Sequence, residues 1–359
     1  MACNQSIMDW NATQKDKSFS WEFDYLSMYY DRLPLTHRIK LALLIIQKVY
    51  YPLLAFVGVP ANLVTIVILS RENCGLSKCV TCYLVAMAVA DLLVVILDLI
   101  LRHIPIVYWY QFTFIYSIPL CNVHAVLIFA TTDCSVWFTV SFTFDRFVTI
   151  CCQKLKIKYC TQKSAAVVLG TVTMLSCLKN ITWFFAYAGE YRLQNFPWFC
   201  YVTINVGQSL GWAVIELLHY IVTPAVPFLL ILLLNVLTIR HILMANKSRK
   251  RLRAHSSGEN PGDPEMEIRR KSIILLFVIS GNFIFLWSVF VVNSIWSRMW
   301  DFGVVFVRLP DFVQELGFML QLLSCCTNTY IYVVTQTKFR EQLKNVGKYP
   351  FTLFVKLFK

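Results

Sequence analysis

Seven long apolar blocks constrain this chain more than any other feature. They run Leu41–Leu69, Val80–Leu101, Val123–Cys151, Ala165–Ala188, Trp212–Ile239, Ile273–Trp296 and Phe312–Thr335, and together they take up about half of the 359 residues. A hydrocarbon layer about 30 Å thick needs roughly 20 helical residues to cross. Each block meets that length. A buried helix of a water-soluble domain would show apolar runs of roughly 10–14 residues. None of the blocks alternates polar and apolar side chains, as the strands of a membrane barrel do. The expected fold is therefore all-α, a bundle of seven transmembrane helices.

Composition agrees. Hydrophobic residues make up 57% of the chain and charged ones only 15%. A soluble domain runs nearer 45–50% apolar and about 25% charged, and a disordered chain is poorer still in apolar residues. The net charge of +13 is unevenly placed. The segments after the first, third and fifth blocks and the C-terminal tail hold 21 Lys and Arg, against 9 on the opposite side. By the positive-inside bias, the tail is expected in the cytoplasm and the N-terminus outside, in the plasma membrane. Basic residues split among short loops at a membrane do not make a nucleic-acid surface. The first 40 residues show no positively charged start followed by an apolar run, so no cleavable signal peptide is expected. They do carry two glycosylation sequons, at Asn4 and Asn11, on the outer side. A third, at Asn246, falls inside and should be silent.

Cysteines divide by compartment. Cys121 opens the third span and Cys200 lies in the outer loop before the fifth. Both face an oxidising space, so a disulfide between them is expected. Cys3 is also outside; the other ten are read as small hydrophobes of the bundle.

Ionisable and polar groups inside a membrane mark function by default. Asp91 lies midway along the second span, Ser135 along the third and Asn62 along the first. Ser324 and Asn328 are four apart in the seventh and share a helical face. One carboxylate among neutral oxygens suits a small hard cation, here Na⁺ at Asp91. It equally suits a hydrogen-bonded knot that locks helix packing. At the cytoplasmic end of the third span, Asp145 and Arg146 are adjacent opposite charges. Arg146 could simply snorkel to lipid headgroups, or be released to a cytoplasmic partner when the bundle opens.

These residues resemble a known family. Asn62 in Gly58-Val59-Pro60-Ala61-Asn62, Asp91, Cys121, Asp145-Arg146-Phe147, Pro227, Trp287 and Asn328-Thr329-Tyr330-Ile331-Tyr332 occur in the order and spans of rhodopsin-like (class A) G-protein-coupled receptors. The resemblance covers roughly residues 45–345, to Lys338-Phe339-Arg340 at the start of an eighth, surface helix. Gly58–Asn62 and the Val226-Pro227…Asn235 stretch are most similar to an orphan branch associated with peptides or aromatic amino acids. The resemblance implies that Asn62, Asp91, Ser135, Ser324 and Asn328 belong to a sodium pocket. It implies that Trp287, with Phe283 one turn below and Pro227 opposite, transmits ligand binding. Arg146 and Tyr332 would rearrange to admit a heterotrimeric G protein, and Cys121–Cys200 would be the family's outer disulfide.

The chain also departs from the pattern. Val289 stands where the family has the proline that kinks helix 6, which moves the hinge elsewhere, for example to Gly281. Thr329 replaces a proline of helix 7, Phe147 a Tyr, and Asn235 a Tyr. Helix 4 lacks its customary mid-helix Trp. Arg269 occupies the place of an acid that holds Arg146 in some members, and no Cys follows Cys326 for palmitoylation of the tail.

The outer half of the bundle should form a ligand cavity. Its expected lining is Arg102, Asp133, Glu216, His219, Trp287, Phe290, Asn293, Phe318 and Gln321. Asp133 and Glu216 would meet a ligand cation, unless Asp133 only makes an interhelical hydrogen bond. Ile128 stands where amine receptors carry an aspartate, and helix 7 has no Lys for a retinal Schiff base. A peptide or amino-acid-like ligand fits this mixed lining better than a lipid. The expected organisation is an N-terminal segment 1–40, a receptor domain 41–335 and an amphipathic helix and tail 336–359. The tail's alternation of bulky apolar residues with Lys suits the anionic inner leaflet. The loop after helix 5 reads as a polar linker whose Ser248, Ser256 and Ser257 are candidate phosphorylation sites. Beside the receptor stands a small transporter or channel, although no internal repeat of the kind transporters show is present. An enzyme is not expected: the six His never fall four apart, and no zinc motif occurs.

Overall fold

The computed structural model describes residues 34–71, 74–193, 199–203, 209–253 and 264–345. Within them are seven helices long and apolar enough to cross a membrane. They are α1 (Leu35–Arg71), α2 (Lys78–Val107), α3 (Cys121–Cys151), α4 (Gln162–Ala186), α5 (Gly211–Lys247), α6 (Pro264–Asp301) and α7 (Asp311–Thr335). A shorter helix, α8, covers residues 337–345. The seven expected spans are all present, and α1 and α6 run well past their apolar blocks. Asn4, Asn11, Cys3, Ser256, Ser257 and the tail beyond residue 345 lie outside the described residues, as do the side chains of Ser248 and Arg269.

Local chemistry places the helix ends. Ser77 caps α2 by accepting from the Val80 amide at 3.4 Å, and Thr161 caps α4 by accepting from Ser164 at 3.2 Å. Prolines re-route two helices. Ahead of Pro105, α2 loosens into a π-helical stretch, Val95–His103. In α5 the residue before Pro224 is disfavoured in the helical conformation. Thr223 is accordingly extended (φ −146°, ψ 113°) inside a π-helical stretch Ile221–Ala225. The break in α5 therefore sits at Thr223–Pro224 rather than at Pro227. α6, by contrast, is continuous through Gly281 and Val289, so no break replaces the missing proline there.

Between α4 and α5, strands β1 (Tyr187–Tyr191) and β2 (Cys200–Val202) pair antiparallel. The Cys121–Cys200 disulfide ties this hairpin to the start of α3, with the two Cα atoms 5.7 Å apart. Aromatic residues pack around it, among them Trp183, Tyr187, Tyr191 and Phe199. At the opposite end, Tyr332 packs on Phe339 of α8 with ring centroids 5.8 Å apart, in a core with Leu84, Phe142 and Leu275. Outward-facing side chains are apolar too: Phe56, Phe185, Phe285 and Val334 are all strongly exposed. A bundle apolar on both faces is one whose surroundings are not water.

The α1–α7 seam is unusually close. A Cβ at Gly58 would overlap the Cys326 sulfur. Thr329 donates to the Ala61 carbonyl at 3.0 Å and shares a 2.8 Å hydroxyl contact with Thr65. Gln47 donates to Glu315 at 2.9 Å and Lys40 to Asp311 at 2.8 Å. So Thr329, in place of proline, fastens α7 to α1.

Candidate functional site

Near the disulfide end, α2, α3, α5, α6 and α7 surround a cavity of about 580 Å³, counting its open mouth. Seven of the nine expected residues line it: Arg102, Asp133, His219, Trp287, Phe290, Phe318 and Gln321. Ile128 and Phe129 add apolar wall, and Asp98, Thr132, Tyr220, Thr223, Pro224 and Gln314 complete it. Two expected residues lie elsewhere. Asn293 is buried but outside the lining. Glu216 lines a second cavity, where Arg298 of α6 donates to it at 2.7 Å.

The cavity holds both signs of charge. Arg102 donates to Asp98 at 2.9 Å, one helical turn away, and its guanidinium lies 5.4 Å from the Phe199 ring and 5.2 Å from that of Phe318. Asp133 does not wait for a ligand cation. Its Oδ2 takes Lys179 Nζ at 2.6 Å and Asn180 Nδ2 at 2.5 Å, both from α4. Lys179 and Trp137 also donate to the Thr223 hydroxyl, at 3.3 and 3.1 Å. Asp133 thus makes the interhelical bond that stood as its alternative reading, and Glu216 is paired with Arg298 outside the central cavity. Gln321 differs. Its Oε1 is buried with no hydrogen-bond partner among the described residues. A buried acceptor left alone costs about 1–3 kcal/mol, so it favours a donor brought by water or ligand.

Below the cavity, Trp287 stacks on Phe283 (5.2 Å, 24°) and meets Phe290 edge-on at 5.7 Å. Phe290 in turn contacts Phe318, 5.6 Å away on α7. The helices approach closely there because Gly317 has no Cβ; one would sit 3.2 Å from the Phe290 Cα. An aromatic relay thus runs from the cavity floor into α6. Pro227 is buried, but it is Pro224 that lines the cavity.

Deeper still, Asp91 accepts from Ser135 at 2.5 Å and from Asn328 at 2.6 Å, which joins α2, α3 and α7. Ser324 is buried one turn before Asn328. Asn62 is not part of this set: its amide donates to the Gly58 and Cys325 carbonyls, both at 3.0 Å. These bonds staple α1 to the α7 backbone.

At the α8 end, Arg146 Nε donates to Asp145 at 3.0 Å, and the Arg146 Nη2 group is also held by Asp145. The Cys79 thiol donates to the same carboxylate at 3.1 Å. The Tyr332 hydroxyl is buried without a hydrogen-bond partner among the described residues, so no hydrogen bond joins it to Arg146. Asn235 accepts from Ser280 at 3.0 Å, a link from α5 to α6.

Asp98, Lys179, Glu315 and Gln47 were not anticipated. The first three are ionisable groups inside apolar blocks, and that alone is a signal. In a comparison with protein families, the family described as 7 transmembrane receptor (rhodopsin family) matches residues 61–332.

Proposed function

The chain belongs to the rhodopsin family of seven-transmembrane receptors, and from that premise we propose a cell-surface receptor that binds an extracellular peptide or amino-acid-like ligand and activates a heterotrimeric G protein. The observation that carries the ligand class is the cavity wall. It offers a buried Arg102, a buried Asp133 and the unsatisfied Gln321 carbonyl above an aromatic floor. Such a lining rewards a ligand with hydrogen-bond donors and a ring; a lipid would leave the Gln321 carbonyl unmet and the paired charges against hydrocarbon. Ligand binding shifts a two-state equilibrium only as far as it prefers one state. The Phe290–Trp287–Phe283 relay is the part of α6 best placed to feel that preference. Activation then frees Arg146 from Asp145 for the G protein. In this reading the protein sits in the plasma membrane with its N-terminus outside.

The test is a G-protein activation panel on the expressed receptor, with peptide and amino-acid libraries. Arg146→Ala should abolish activation while surface expression persists. Normal signalling from that variant would sink the mechanism.

Asp91, Ser135, Ser324 and Asn328 supply the hard oxygens a sodium ion takes, and three helices meet there. An ion at that place would hold those helices in the closed arrangement. Asp91→Asn should then remove the sodium dependence of ligand binding; an unchanged salt response would leave Asp91 a packing knot.

A further inference from the structure

A second cavity, about 800 Å³ with its open mouth, lies beside the first, between α4, the β-hairpin and the disulfide ends of α5 and α6. Nothing in the receptor mechanism uses it. Three of its walls are aromatic. Trp183 stacks on Tyr187 (5.8 Å, 15°) and meets Trp212 edge-on (5.6 Å, 84°). Its remaining wall is charged. Arg298 reaches Glu216 at 2.7 Å and Asp301 at 3.1 Å, while its guanidinium lies 5.8 Å from the Tyr220 ring. One cation thus serves two carboxylates, and the wall keeps an excess negative charge. Asp301 is exposed at the mouth.

We propose that this lateral cavity is a second binding site, for an organic cation such as a guanidinium or ammonium group carried by an extracellular ligand. Aromatic faces bear the negative end of the ring quadrupole and attract cations. The uncompensated carboxylate charge adds a directional partner for the same group. An anion would meet the two acids, and a purely apolar ligand would desolvate all three charges. An incoming cation competes with Arg298 for Glu216, so occupancy loosens the ion pair that joins α5 to α6 at this mouth. The site is reached from the side that the charge bias places outside, and in that respect the inference rests on the proposed orientation.

The test uses the full-length receptor in phosphatidylcholine nanodiscs and saturation-transfer NMR. The probe is Nα-acetyl-arginine amide; its control is Nα-acetyl-citrulline amide, the neutral isostere. The arginine probe should bind and the citrulline probe should not. Glu216→Gln, Asp301→Asn and Trp212→Leu should each weaken binding by about tenfold, while Trp212→Phe retains most of it. Asp301→Asn alters an exposed side chain, so it reports even where a buried substitution disturbs folding. Equal binding of both probes, equal binding in all variants, or no arginine signal at millimolar concentration would overturn the assignment. So would loss of the signal in Phe318→Ala, which would place the probe in the central cavity. The measurement needs no G protein, so a silent activation panel with intact, variant-sensitive binding would count against the signalling proposal and not against this site.

Discussion

Lys179 is the residue whose placement decides most about the cavity. An ammonium on α4 is costly at membrane depth unless paired, and its partner is Asp133 of α3 at 2.6 Å. Together they present the cavity with a neutral, dipolar wall in place of a bare acid. Removing one charge leaves the other behind, and the penalty for that exceeds what the pair itself contributes. Asp133→Asn should therefore lower stability by about 2–3 kcal/mol, below the figure for fully buried pairs because Lys179 is partly exposed. Adding Lys179→Met should recover most of that loss. Thermal unfolding of the purified receptor measures both; a double variant no more stable than Asp133→Asn alone would show that the pair is not the source. Asp133 was legible in the chain as an intramembrane acid. Its partner was not, because sequence displays a charge but not the helix it faces. Lys179 and Glu315 hide in this way within apolar blocks, and each finds a partner only once helices are packed; Asp98 pairs with Arg102 one turn along its own helix.

Among the elements, α7 is the one whose behaviour the structure most changes. Its missing proline reads in the sequence as a loss. The structure gives Thr329 two hydroxyl contacts to α1, and sets the bare Gly58 backbone against Cys326. These contacts pin α7 to α1 along one side. Gly58→Ala should overpack this seam and cost about 1–3 kcal/mol, while Cys326→Ala in the same chain should relieve it. A double-mutant cycle on unfolding midpoints isolates that coupling; additive effects would mean the two residues do not share the contact. The lengths of the seven elements were legible because crossing a membrane demands apolar length whatever a helix packs against. The break at Thr223 was not legible, since Pro224 and Pro227 lie in the same apolar run and only geometry shows which one interrupts it.

For the molecule as a whole, every functional assignment depends on which way the bundle faces. The basic residues argue for the α8 end inside, 21 against 9. The disulfide argues the same way by a different physics, because Cys121–Cys200 lies at the opposite end and needs an oxidising compartment. In that orientation Arg146 would face the cytoplasm, and both cavities would open outside. These two arguments share no residues, so they would fail separately. An epitope tag placed before residue 34 should stain intact cells, and Asn11→Gln should raise the electrophoretic mobility of the mature protein by the loss of a glycan. A tag joined after Lys359 should stain only after permeabilisation. The reverse pattern would put Cys121–Cys200 in a reducing space and Arg146 out of reach of any G protein, and the receptor mechanism could not stand on this geometry.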